Sequence, residues 1–226
     1  MLLVYTSKIT PRLKFVFKQI CTRILNIPVS FTNVIEEFIA HDHLKMSYGS
    51  QPLGSEFFVR SNGLLSEQGL SDLELNVQTW EDTKCFFSSG EKSHIPFDIF
   101  AAAFYLLSRY EEYLPHVKDV YGRFTKEESL AFQSGFLHQP VIDIWAYKFK
   151  AALQKQYPTQ EFGVRRFSIN PVIDVPVAYY FKNKGFLRTL GGIGSDLFRF
   201  RFKFLYDRFP VLFGFKKDPY DNFKWI

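Results

Sequence analysis

In the stretch INPVIDVPVAYYF, Asp174 follows the apolar pair Val172 and Ile173 and precedes Val175 and Pro176. An acid at the C-terminal end of a strand lies where α/β folds gather their ligands, which makes Asp174 the first candidate functional residue. Other groupings compete with it. His41-Asp42-His43 would set two imidazoles on one face of a strand, but no third ligand stands nearby and the trio reads as a solvated turn. Arg109, Glu111 and Glu112 close an apolar stretch, where they either line a cleft or solvate the last turn of a helix. Asp143, near the start of a helix, complements the macrodipole and needs no other role. His94, His116 and His138 are scattered singly, and no histidine pair stands at i, i+4. GGIGSDL has Leu197 where a dinucleotide fingerprint needs its third glycine, and a Gly-Lys-Ser/Thr phosphate loop is missing from the chain. These patterns assign no cofactor-binding residue and no metal ligand.

Positioning Asp174 requires strands and helices to frame it. LLVYT is a short apolar run of the kind a buried strand needs. Thr10 then stands as an N-cap before a first-turn Pro11. Leu13, Val16, Phe17, Ile20, Cys21 and Ile24 follow at helical spacing, with Arg12, Lys14, Lys18 and Arg23 off the stripe. After Asn26, PVSFT reads as a second strand, so strand, helix and strand predict a parallel crossover. The expected class is α/β, a Rossmann-like or flavodoxin-like domain with a partial second domain. Between residues 36 and 87, LKMSY, EFFVRS and LNVQTW are strand-like and broken by Gly and Ser. IPFDIFAAAFYLLSRYEEYLP predicts a helix opened by Pro96, apolar nearly all round and therefore buried on most sides. A second helix, from about Val141 to Gln156, carries Ile142, Trp145, Ala146, Phe149, Ala152 and Leu153 on one stripe. Within residues 168–181, the apolar run reads as a strand that ends on Asp174, before Pro176 and the aromatic residues that follow.

The chain of 226 residues has room for one large domain, or for one domain and a fragment. Hydrophobic residues make up 46%, which places it among globular chains, and 27 phenylalanines predict a broad aromatic core. The net charge of +5 is local: residues 182–217 hold nine basic and two acidic residues, a surplus of seven. The remainder is slightly acidic, so nucleic acid is not expected as a general partner. Cys21 and Cys85 make no disulfide framework. The first apolar run is shorter than the ~7–15 residues of a secretory core. The longest falls short of the ~20 residues of a membrane helix. A cytoplasmic protein without a transmembrane segment is expected.

FDIFAAAFYLLSRYEEYLPHVKDVYGRF, followed by GFLHQPVIDIWAYKF, resembles the uncharacterised N-terminal domain that precedes a polysaccharide deacetylase domain in many bacterial proteins, especially from the Bacteroidota. INPVIDVPVAYYFKNKGFLRTLGG, with DPYDNF beyond it, is similar to the junction where that deacetylase domain begins. The resemblance implies a divalent metal held by one aspartate and two histidines, with a second aspartate as base. By position Asp174 resembles that base. The metal-binding acid would fall on Val175 or Pro176, neither of which ligates through its side chain, and the histidine pair is absent. The expectation is an N-terminal α/β domain over residues 1–166. Residues 167–226 would supply the first strand and connecting segment of a truncated deacetylase-like domain. On this reading the full-length protein is a metal-dependent hydrolase of carbohydrate metabolism that deacetylates glycans. The chain is its accessory part, inactive alone, without a metal of its own, and its partner is the missing deacetylase domain. The alternative is a non-enzymatic surface-binding module built on FRFRFKFLYDRF. Taken as a strand, that segment has one aromatic and one basic face, suited to nucleic acid or anionic lipid. Against this stands packing of the same phenylalanines on the absent domain.

Overall fold

Strand β1 (Leu2–Tyr5) buries Leu2 and Val4, and the chain turns into helix α1 (Pro11–Phe17) through Thr10, whose hydroxyl accepts the Leu13 N–H at 3.1 Å. In this computed structural model, which describes residues 1–164, 168–221 and 223, α1 runs on into a π-helical stretch, Lys18–Ile24. The whole expected stripe, from Leu13 to Ile24, is buried. Asn26, in the left-handed region at φ 56°, reverses the chain into β2 (Val29–Thr32). Next come a short helix α2 (Ile35–Ala40), β3 (Lys45–Gly49) and β4 (Phe57–Arg60). β2, β1, β3 and β4 form one parallel sheet in that order. With β2 and β3 flanking β1, this is the flavodoxin-type order and not the Rossmann one.

Between β3 and β4 only residues 50–56 intervene, fewer than the dozen or so that a parallel crossover usually takes. Glu56 makes so short a return workable. Its buried carboxylate accepts from the Ser47 hydroxyl on β3 and from the Leu53 N–H at 2.8 Å, pinning the loop along the strand. A two-stranded antiparallel sheet follows, β5 (Gln78–Trp80) with β6 (Thr83–Cys85). The end of LNVQTW is thus a strand and its beginning is not. Neither α2 nor β6 was expected, because both are too short to show a period.

Helix α3 (Ile99–Leu107) is shorter than its sequence pattern. Asp98 caps it, Arg109 adopts φ 53°, and Tyr110–Tyr113 form a separate 3-10 turn. Ile99 to Tyr105 are all buried, as an apolar circumference requires. A short helix α4 (Leu130–Gln133) precedes α5 (Val141–Gln156). The core between sheet and helices is aromatic. Phe17 stacks on Phe100 with centroids 3.6 Å apart, Phe149 meets Phe57 and Phe100 edge-on, and Phe97 meets Trp145. Burying one such ring contributes roughly 1.5–3 kcal/mol, so this cluster is the main source of stability.

The chain divides into two compact units, Met1–Arg166 and Phe167–Ile226, and all the elements above belong to the first. The expected boundary at residues 166–167 lies outside the described residues. In the second unit the strand expected at 168–181 is absent. The backbone there is irregular, with Val172 94% exposed and Ile173 55% exposed. A strand needs a neighbour for its N–H and C=O groups, and among the described residues none pairs with this segment.

The strand reading of FRFRFKF is also overturned. Helix α6 (Phe186–Phe198) and helix α7 (Phe202–Leu212) occupy this region, separated by a turn in which Phe200 takes φ 53°. Period 3.6 prevails over the local alternation because Asp196 and Arg208, one on each helix, form a buried ion pair. GGIGSD lies inside α6 and is no phosphate loop. Gly192 leaves room for Arg208, since a Cβ there would stand 2.6 Å from the guanidinium. The Arg208 guanidinium also lies 5.0 Å above the buried Phe181 ring. Asp218 accepts the N–H groups of Tyr180, Phe181 and Lys182 at 2.7–3.0 Å, closing this small unit.

Candidate functional site

Asp174 is exposed, in the irregular segment between two apolar pairs, and no strand presents it to a cleft. Val175 and Pro176, which follow, offer no donor atoms, and among the described residues no group of three His, Cys, Asp or Glu is placed to hold a metal ion. The residues present do not fit a divalent ion, and no step of chemistry passes through one here. His41 and His43 meet edge-on, centroids 5.8 Å apart, beside the exposed Asp42, as a turn.

In an open parallel sheet, ligands usually sit beyond the strand C-termini where the order reverses, here between β1 and β3. The chain seals part of that rim itself. After β1, Lys8 Nζ donates to the Ser66 carbonyl at 2.9 Å, Thr10 Oγ1 to Leu65 at 2.5 Å and Arg12 Nη1 to Leu64 at 3.1 Å. The donors that open α1 are therefore spent on the loop following β4.

A second buried acid escapes sequence reasoning. Asp98 has no solvent exposure, and its carboxylate accepts four hydrogen bonds: from Tyr48 Oη and Asn62 N at 2.7 Å each, and from Phe100 N and Ala101 N at 3.1 and 3.0 Å. Burial raises its pKa to about 6 although every one of these donors works the other way. Tyr48 is pushed up by burial and by the adjacent Asp98 charge. The group ties β3, the loop after β4 and the start of α3 together, and caps α3. Its signal is an aspartate just ahead of an apolar helical run, masked by Pro96, a residue that favours the first turn of a helix.

The cluster at the end of α3 divides. Arg109 and Glu112 form an exposed ion pair, solvating the turn. Glu111 instead lines a cleft of about 250 Å³ with Asp72, Tyr105, His116, Phe124 and Glu128. Burial raises the Glu111 pKa, opposed by the Leu130 N–H at 2.9 Å, and the neighbouring Glu112 raises it further. Tyr105 is raised by burial and by the charge of Glu111. His116 shares a hydrogen bond with the Leu114 carbonyl at 2.8 Å through Nδ1 and packs edge-on to Phe124. Single residues far apart in sequence carried no spacing that announced this cleft. Asp143 borders a different cleft, with Gln19, Arg23, Ile24, Leu107 and Ile142.

A family pattern matches residues 2–158, well over half of the chain. The chain belongs to the Family of unknown function (DUF7033). No curated protein and no solved structure matches it. The DUF7033 match takes in every element from β1 to α5, the Asp98 network and the Glu111 cleft. Asp174 and the pair α6 and α7 lie outside it. DUF7033 membership brings no activity with it.

Proposed function

We propose that the DUF7033 unit is a non-catalytic support for a deacetylase-like domain acting on N-acetylated glycans, and that residues 168–181 are the first strand of that domain. One observation carries this reading. An apolar run with the composition of a buried strand, leading up to Asp174, lies exposed and pairs with no strand among the described residues, and pairing it into a sheet would bury Val172 and Ile173. The resemblance of INPVIDVPVAYYF to a deacetylase junction supports the same assignment, as does the closure of the first unit around its own aromatic core. In this reading Asp174 takes a proton from the attacking water as amide hydrolysis begins. Acetate release from an N-acetylated oligosaccharide tests it. The native gene product, isolated from its own cells, should release acetate, and the 226-residue chain should not. A native product that releases none contradicts the proposal, as does a 226-residue chain that releases acetate by itself.

A further inference from the structure

The α6 and α7 pair is organised inside-out. Its seam holds a buried ion pair, Asp196 with Arg208, together with Val211. Its apolar stripes face outward. On α6, Phe186, Leu187, Leu190, Leu197 and Phe198 recur at helical spacing and are exposed, Phe198 by 88%. On α7, Phe202, Tyr206 and Phe209 do the same, and Phe213 at its C-terminal cap continues the row. Water would not select such an arrangement, because each exposed stripe forfeits the burial that normally holds a helix in place.

Charge decides what covers these stripes. Of the nine basic and two acidic residues in 182–217, Asp196 is spent on Arg208 and Asp207 on Lys216. Arg188, Arg199, Arg201, Lys203 and Lys217 remain exposed, with no acidic residue of this segment left to neutralise them. Cations beside Phe and Leu, with Arg188 and Lys203 on the short helices and Arg199 and Arg201 in the turn between them, are the composition of an element lying in a headgroup layer. Aliphatic Leu187, Leu190 and Leu197 cannot stack on bases, which disfavours a nucleic acid. Among the described residues no helix is long and apolar enough to cross a membrane. At 13 and 11 residues, α6 and α7 span roughly 20 and 16 Å, short of the ~30 Å hydrocarbon core.

We propose that α6 and α7 dock the protein on an anionic lipid surface, phenylalanines and leucines in the acyl boundary and arginines and lysines on the headgroups. The inference stands apart from the deacetylase reading. Co-sedimentation of the full chain with phosphatidylcholine vesicles, with and without phosphatidylglycerol, tests it. Binding should strengthen about tenfold or more when the anionic lipid is present, since each cation near such a surface adds to affinity. Arg199→Glu/Arg201→Glu/Lys203→Glu should remove that gain. Leu187→Ser/Phe198→Ser/Phe200→Ser should weaken binding to both vesicle types, and all six side chains are exposed, so helicity should be kept. The wild-type comparison decides even where a variant unfolds. Three results would overturn the proposal: no preference for the anionic vesicles, an oligonucleotide bound more tightly than vesicles, or a salt-resistant oligomer that ignores vesicles.

Discussion

Asp98 gathers more of the fold into one side chain than any other polar residue. Its two oxygens each accept two donors, so an amide cannot replace it without aiming N–H groups at N–H or O–H donors. Asp98→Ala should cost about 3 kcal/mol, combining a lost cap with buried donors left unpaired; urea unfolding measures it. The pH dependence has a definite sign. With a folded pKa of about 6 against 3.8 for an ordinary aspartate, the folded state binds the proton more tightly. This contribution is therefore fully present below pH 3.8 and lost as pH rises through 6. The stability gap between wild type and Asp98→Asn should widen by about 2 kcal/mol on going from pH 7 to pH 4. A gap that stays constant would show that burial leaves the Asp98 pKa unshifted. Asp98 and Glu111 were hard to read from sequence because burial, which gives them their properties, comes from residues fifty positions away or from another helix. The Thr10 cap was legible because its partner, Leu13, is local.

At the scale of elements, period and capping foretold β1, α1, β2, β3, β4 and α5, whose patterns are long or flanked by strong turn signals. Two strand readings failed for separate reasons. The segment at 168–181 has strand composition but no neighbour to pair with among the described residues. FRFRFKF alternates for seven residues, yet its flanks carry the helical spacing that joins Asp196 to Arg208, and the longer pattern prevailed. That ion pair is open to a direct test. Asp196→Ala leaves a buried guanidinium uncompensated, which costs about 3–5 kcal/mol. Circular dichroism should lose the helical signal of α6 and α7, while amide exchange in α3 and α5 stays slow. Exchange that quickens in α3 and α5 would mean that the two units do not fold independently.

For the molecule as a whole, the division into Met1–Arg166 and Phe167–Ile226 makes a prediction about proteolysis. The irregular, exposed segment 168–178 should be cut first, releasing a resistant fragment whose C-terminus lies within that segment. A first cut inside α3 would contradict a self-sufficient first unit. The central claim is that this unit supports chemistry and does not perform it, and acetate release by two variants of the native gene product tests that most directly. Asp174→Asn should lower the rate by about 10²–10⁴, the usual contribution of a general base. His116→Ala, which alters the cleft beside Glu111, should leave the rate within about twofold, because in this account His116 meets no reacting atom. Loss of activity in His116→Ala with Asp174→Asn unaffected would place the chemistry in the DUF7033 unit and contradict the account.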